Sequence, residues 1–153
     1  MTAESSDPAD LSRLGFRGGS QRSGTVVQDE MARLLDRAYI DNLVRHLGLD
    51  LATELLADGM IAVSDRLERL SSARDATPDT LAKLAHDLTG ASGQIGLHVL
   101  LHATRRLENA AIGSDRMAMH GLVDEALREG SLSLAALGDY LAEEAEAGRA
   151  KSA

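Results

Sequence analysis

Apolar residues recur with the spacing of an amphipathic α-helix from Gln28 almost to the end of this 153-residue chain. No segment shows the period of two that a half-buried β-strand requires, and no unit of about 20–50 residues repeats. Long amphipathic helices that are joined by short connections pack together as bundles. The pattern therefore predicts an all-α fold, an antiparallel four-helix bundle with a short additional N-terminal helix.

Capping signals divide the pattern into one short helix and four long ones. The predicted starts or N-caps of these helices are Asp36, Asp50, Thr77, Leu97 and Ser114. The predicted ends are His46 with Gly48, a polar break at 71–76, Gly96, Ala111 with Gly113, and residue 147. Gly130-Ser131 is expected to kink or divide the last helix. Predicted apolar positions include Leu51, Leu55, Ile61, Leu67 and Leu70 in the second helix, and Met117, Leu122, Leu127, Leu134, Leu137 and Leu141 in the last.

Composition separates the ends of the chain from its helical part. Residues 1–27 are rich in glycine, serine and arginine and cannot bury enough apolar surface to offset ordering entropy, so a flexible N-terminal tail is predicted. A second interpretation of the tail is a short docking segment built on Leu11, Leu14 and Phe16. Residues 28–147 form the predicted bundle, and residues 148–153 are predicted to fray.

Composition also excludes several classes of function. The chain has no Cys, and therefore no disulfide framework, thiolate metal site or cysteine nucleophile. A formal net charge of −8 with two Tyr, one Phe and no Trp argues against nucleic-acid binding, which needs a basic face and stacking platforms. No apolar run approaches the ~20 residues that span a bilayer, and residues 1–24 lack the apolar region of a signal peptide. We expect a cytoplasmic, monomeric protein that binds neither nucleic acid nor membrane.

The third helix carries an unusual set of residues on its predicted solvent side. Its apolar side consists of Leu81, Leu84, Ala85, Leu88, Ser92 and Ile95. His86 lies roughly 160° from the centre of that side and is predicted to face solvent. Gly90 and Gly93 share the exposed side, although each glycine costs about 1 kcal/mol relative to alanine. An exposed histidine is usually only solvated, but bare backbone beside an imidazole lets another molecule approach, as a nucleophile entering a partner's active site requires.

The same segment resembles the signature of the histidine-containing phosphotransfer (HPt) domains of bacterial phosphorelays. The matching residues are Ala85-His86-x-Leu88-x-Gly90-Ala91-Ser92-x-x-Ile95-Gly96. The resemblance extends over about residues 35–141 and includes Arg106-Leu107-Glu108-x-Ala110 in the following helix. It implies a four-helix bundle with the phosphoryl-accepting histidine, here His86, exposed midway along one helix.

The resemblance also implies the partners and the surface that meets them. Response-regulator receiver domains and a hybrid sensor histidine kinase are the expected partners, and the receiver brings the Mg²⁺, so that the chain needs no cofactor of its own. We expect docking around Ala82, His86, Thr89, Gly90 and Gly93. The family usually has lysine where this chain has Thr89, which removes a charge from the neighbourhood of the phosphoryl oxygens. Lys83, one turn before His86, is a candidate substitute for that charge.

Other motifs are weaker, and one alternative function stays open. The chain has no Gly-x-x-x-x-Gly-Lys-Ser/Thr loop and no βα alternation, so it is expected to be a carrier rather than a kinase or a receiver. His98 and His102 have the four-residue spacing of metal ligands, but two ligands without a nearby carboxylate do not make a site, and no metal is predicted. The alternative is a helical adaptor that binds a signalling partner without being phosphorylated, which Thr89 keeps open.

Overall fold

The structure is a computed structural model and describes residue 29 and residues 31–152. All secondary-structure elements in this part of the chain are helices. After a helical turn at 31–34, the helices are α1 (Arg37–Leu47), α2 (Leu49–Ser72), α3 (Pro78–Gln94), α4 (His98–Ile112) and α5 (Arg116–Ser152). The all-α prediction is confirmed. The predicted tail at 1–27, including its proposed docking residues, lies outside the described residues.

The four long helices contact one another in a closed order. α2 packs on α3, α3 on α4, α4 on α5, and α5 on α2, while α1 packs on α2. Their buried side chains are almost all apolar and form one cluster, whose largest fully buried members include Leu56, Leu70, Leu81, Leu88, Leu100, Leu107 and Met119. This core holds the central part of α3 between α2 and α4.

Two predicted N-caps are confirmed. The Asp36 side chain accepts a hydrogen bond from the Tyr39 backbone N–H at 3.1 Å, and α1 ends at Leu47 with Gly48 as its C-cap. The Thr77 hydroxyl accepts one from the Thr80 N–H at 3.3 Å, with Pro78 as the first residue of α3. Proline is well suited to that position because its missing N–H would have no partner inside the helix.

Two other predicted N-caps are wrong. α2 begins at Leu49 with Gly48 as N-cap, so that Asp50 lies inside the first turn. Ser114 adopts a left-handed conformation (φ 58°) and terminates α4 instead of starting α5. The cap of α5 is its neighbour Asp115, whose carboxylate accepts from the Ala118 N–H at 3.1 Å. Asp115 competes successfully because Ser114 is used in the C-terminal turn of α4.

The last helix is longer and more regular than predicted. α5 passes through Gly130-Ser131 without a break and continues past residue 147 as far as Ser152. Gly130 is buried, and a Cβ built there would lie 2.6 Å from Leu67 Cδ1 of α2. This glycine therefore allows two helices to approach each other and does not interrupt the helix.

The predicted apolar side of α2 is partly wrong. Leu51, Leu55 and Ile61 are 51%, 44% and 69% exposed, whereas Ala52, Leu56 and Val63 are buried with the correctly predicted Leu67 and Leu70. In α5, Met117 is 91% exposed and Met119 is buried instead. Both helices carry apolar residues one or two positions apart, and the side that enters the core is set by the neighbouring helices as well as by helical periodicity.

Candidate functional site

His86 lies near the middle of α3 and faces solvent, as the helical wheel predicted. Its side chain is 75% exposed. On the opposite side of the helix, Leu81, Ala85, Leu88 and Ser92 are buried and Leu84 is half-buried, so the predicted apolar side is confirmed. The buried side anchors the helix while the imidazole stays accessible to another molecule.

Glu108 of α4 is the residue that the structure brings to His86. Its Oε2 atom lies 3.1 Å from His86 Nδ1, and the two residues are 22 positions apart in the chain. An ionised carboxylate only accepts hydrogen bonds, so Nδ1 is the donor and the neutral ring keeps its lone pair on Nε2. Within the described residues Nε2 has no hydrogen-bond partner. The contact therefore leaves the more distant ring nitrogen, Nε2, as the available nucleophile.

Glu108 belongs to the HPt-like string Arg106-Leu107-Glu108-x-Ala110, but the sequence pattern assigns it no role. The signal that would have found it is the packing of α3 against α4, which sets one residue of α4 beside His86. That pairing depends on the register between two helices, which helical periodicity within each one does not contain.

Thr89 does not present its hydroxyl to the space beside His86. Its Oγ1 donates to the Ala85 carbonyl at 2.8 Å and lies 2.7 Å from Thr104 Oγ1 of α4. Thr104 is buried and its hydroxyl also lies 3.0 Å from the Leu101 carbonyl. Thr89 thus links α3 to α4, and its hydroxyl is occupied within the protein.

Gly90 and Gly93 are not equivalent, although both were predicted on the exposed side. Gly90 is exposed, and a Cβ built there would meet no atom within 4 Å. Gly93 is half-buried, and its Cβ would lie 3.1 Å from Leu101 Cδ1 of α4. The placement of Gly93 on the open surface is therefore wrong: Gly93 accommodates a packed neighbour, and Gly90 alone leaves bare backbone beside His86.

The remaining predicted surface residues differ in exposure. Lys83 is exposed on α3, one turn before His86, whereas Ala82 is half-buried and packs against the core. A shallow depression of about 260 Å³ lies on the other flank of His86, between α3 and α2. Its walls include His86, Gly90 and Ala91 of α3 and Ala62 and Arg66 of α2. Because His86 itself forms part of the wall, a small group bound to its ring would lie close to this depression.

The two histidines with metal-ligand spacing have separate environments. The His98 Nε2 atom is hydrogen-bonded to the Arg33 backbone carbonyl, and His102 is exposed. Across the part of the chain that the structure describes, no group of three or more His, Cys, Asp or Glu side chains is arranged to hold a metal ion.

Comparison of the chain with protein-family models, with curated proteins and with solved structures gave no match. None of the described helices is both long enough and apolar enough to cross a membrane.

Proposed function

We propose that this chain is a histidine phosphotransfer protein of a bacterial phosphorelay. It accepts a phosphoryl group from the aspartate of one receiver domain on His86 and passes it to the aspartate of another. The observation that carries the proposal is the exposed imidazole of His86 with its Nδ1 held by Glu108 at 3.1 Å. A nucleophile that is oriented by a carboxylate yet open to solvent suits transfer between two proteins.

The transfer step uses the free lone pair on His86 Nε2. This lone pair attacks the phosphorus of the receiver's aspartyl phosphate, the P–O bond to the aspartate breaks, and the carboxylate leaves with the bonding electrons. The phosphorylated ring keeps its proton on Nδ1 and carries a positive charge, which the Glu108 carboxylate stabilises through the existing hydrogen bond. Transfer to the next receiver is the reverse of this step.

The proposed fold is an antiparallel four-helix bundle formed by α2–α5, with α1 as the short additional helix. The closed order of contacts from α2 through α5 and back to α2 supports it. The connections between consecutive helices from α2 to α5 are only three to five residues long, and such short connections favour antiparallel neighbours. In such a bundle His86 projects from the middle of one helix, where a receiver domain can dock against the surface.

The proposed partners supply what this chain lacks. A receiver domain brings the phospho-aspartate and the Mg²⁺, and a hybrid sensor kinase brings the first phosphoryl group. We propose that the protein acts in the cytoplasm as a monomer and has no kinase activity of its own. Its own contribution is then the nucleophile, its orientation and an accessible surface.

The test is labelling by a phosphorylated receiver domain. Wild-type protein is expected to take up acid-labile, alkali-stable phosphate, and NMR of the labelled imidazole is expected to place the phosphoryl group on Nε2. His86→Gln removes the label. His120→Gln is the matched control, because His120 is also exposed and its Nε2 lies 3.7 Å from an Asp75 carboxylate oxygen.

Failure of the wild-type protein to take label from a panel of receivers and kinases of its source organism would contradict the phosphocarrier proposal. Binding of a receiver without transfer would instead favour the adaptor function. The observation that bears on this alternative is the position of Thr89, whose hydroxyl is turned to α4 and supplies nothing to a phosphoryl group.

A further inference from the structure

Arg66 is the one arginine or lysine in the wall of the depression beside His86. It projects from α2, and the depression also contains Asp87 and Gln94. Gly90 in the same wall leaves open space, since a Cβ there would meet nothing within 4 Å. A phosphoryl group on His86 Nε2 would therefore stand beside a concave surface that holds a single permanent cation.

The Arg66 side chain has unused hydrogen-bonding capacity. It is half-buried, its Nη1 donates to the Ala62 carbonyl at 3.1 Å, and its Nε is buried with no partner. Arg74, the other half-buried arginine of the described helices and turns, instead forms a two-pronged ion pair with Asp124, with Nη2 to Oδ2 at 2.7 Å. Arg66 makes no ion pair with any carboxylate of the described residues.

A half-buried guanidinium that has no anionic partner can bind an added anion. Arginine binds phosphate through several N–H donors in one plane, and such charge-assisted bonds are stronger than neutral ones. The rival cation, Lys83, is exposed on α3 and is not part of the depression. Asp87 in the same wall carries a negative charge, which repels a phosphoryl group. A cation at this place would offset that repulsion.

We propose that Arg66 binds the phosphoryl oxygens during transfer to and from His86. Arg66 thus supplies from α2 the positive charge that Thr89 does not supply from α3. This inference rests on the proposed function, because it concerns the same histidine. The bonds that form and break are those of the transfer step described above. Arg66 donates hydrogen bonds to the non-bridging oxygens and exchanges no proton.

The experiment compares rates of His86 phosphorylation by two donors, a phosphorylated receiver domain and the small phosphodonor phosphoramidate. Phosphoramidate transfers its phosphoryl group with loss of ammonia and needs no docking surface. Arg66→Met is expected to slow both reactions about tenfold. Removing a hydrogen-bond donor from an enclosed active site slows a reaction about 10²–10³-fold, and the effect is smaller here because the site is open. Arg66→Lys, which retains the charge, is expected to recover part of the rate.

The matched control is Arg69→Gln, on the same helix and exposed beside Asp65, with which Arg69 forms an ion pair at 3.0 Å. It is expected to react at the wild-type rate. Circular dichroism and thermal unfolding check that the variants fold, and Arg66→Met loses only the bond to the Ala62 carbonyl.

Each outcome separates this inference from the proposed function. If wild type takes label and Arg66→Met reacts as fast as Arg69→Gln, the role of Arg66 is refuted while the carrier function stands. A rate that falls with the receiver but not with phosphoramidate also refutes it, because Arg66 would then serve docking. Loss of rate in Lys83→Gln alone would assign the charge to Lys83. If wild type takes no label from either donor, the carrier function itself fails.

Discussion

The two ends of α3 and its middle are built in opposite ways. At the N-terminal end, the Thr77 cap and the Arg74–Asp124 ion pair hold the helix and the preceding connection. In the middle, His86 is 75% exposed and Gly90 has no neighbour that a Cβ would meet within 4 Å. Residues that hold the helix in place are thus separate from the exposed His86 and Gly90, where we propose that a partner docks.

The C-terminal end of α3 is held by backbone hydrogen bonds. The Leu97 N–H bonds to the Ser92 carbonyl at 3.0 Å and the Gly96 N–H to the Gly93 carbonyl at 3.4 Å, which forms a Schellman motif. The Gly96 carbonyl accepts from the Asp36 N–H at 2.8 Å. A fixed end lets the bare middle present its imidazole in one orientation, which the proposed transfer between proteins would require.

Among the variants of α3, the largest change in stability is expected from Gly96→Ala, at the C-terminal end. Gly96 has φ 75°, and its Cβ would lie 3.2 Å from side-chain atoms of Ile40 and Tyr39. A left-handed alanine costs about 1–2 kcal/mol, and the contacts add to that cost. We expect the free energy of unfolding to fall by about 2 kcal/mol in urea titrations. A stability equal to wild type would mean that this end of α3 does not hold the helix.

Gly90→Ala is expected to have the opposite effect on stability and a separate effect on function. An exposed alanine in a helix is about 1 kcal/mol more favourable than glycine, and no atom obstructs the added Cβ. Transfer from a receiver is expected to slow severalfold, because the methyl group would stand on the surface where we propose that the partner docks. Gly121→Ala is the control, since Gly121 is also helical and unobstructed. If both variants gain stability and both transfer normally, Gly90 has no part in docking.

Asp124→Asn tests the N-terminal end through its dependence on pH. The hydrogen bond from Arg74 is the main cause that lowers the pKa of Asp124 from its ordinary value of 3.8. A lowered pKa in the folded state adds stability above the unfolded pKa, and this part is lost as the pH falls through the folded value. We expect Asp124→Asn to unfold more easily than wild type at pH 7, by less than the Gly90→Ala effect.

The difference in thermal stability between wild type and Asp124→Asn is expected to shrink as the pH is lowered below about 4, because wild type then loses the same ion pair. A difference that stays constant down to acid pH would show that the carboxylate charge is not what Arg74 recognises at this end of α3.

The smallest effect is expected from Gly93→Ala, which lies between the bare middle and the fixed end. Its gain in helix propensity of about 1 kcal/mol is opposed by a Cβ contact of 3.1 Å with Leu101 Cδ1, the end of a flexible side chain. We expect the stability to change by less than about 0.5 kcal/mol and transfer to stay normal. A loss of transfer like that of Gly90→Ala would return Gly93 to the docking surface.

The local sequence pattern predicted where α3 begins and that His86 is exposed. The Thr77 cap depends on a hydroxyl within reach of its own helix, and the orientation of His86 depends on the helical period, so both follow from neighbouring residues. Errors arose where two adjacent residues had the same local propensity. Leu55 and Leu56 compete for one core position, and Ser114 and Asp115 for one cap.

The sequence by itself determined an all-helical chain, two of its caps and a histidine on the solvent side of one helix, because these properties depend on residues a few positions apart. The tertiary structure decided that Glu108 contacts His86, that Gly93 is packed while Gly90 is bare, and that Arg66 and His86 line the same depression. Each of these pairings joins two helices. Their register is set by the packing of buried side chains from the whole cluster, which no local pattern contains.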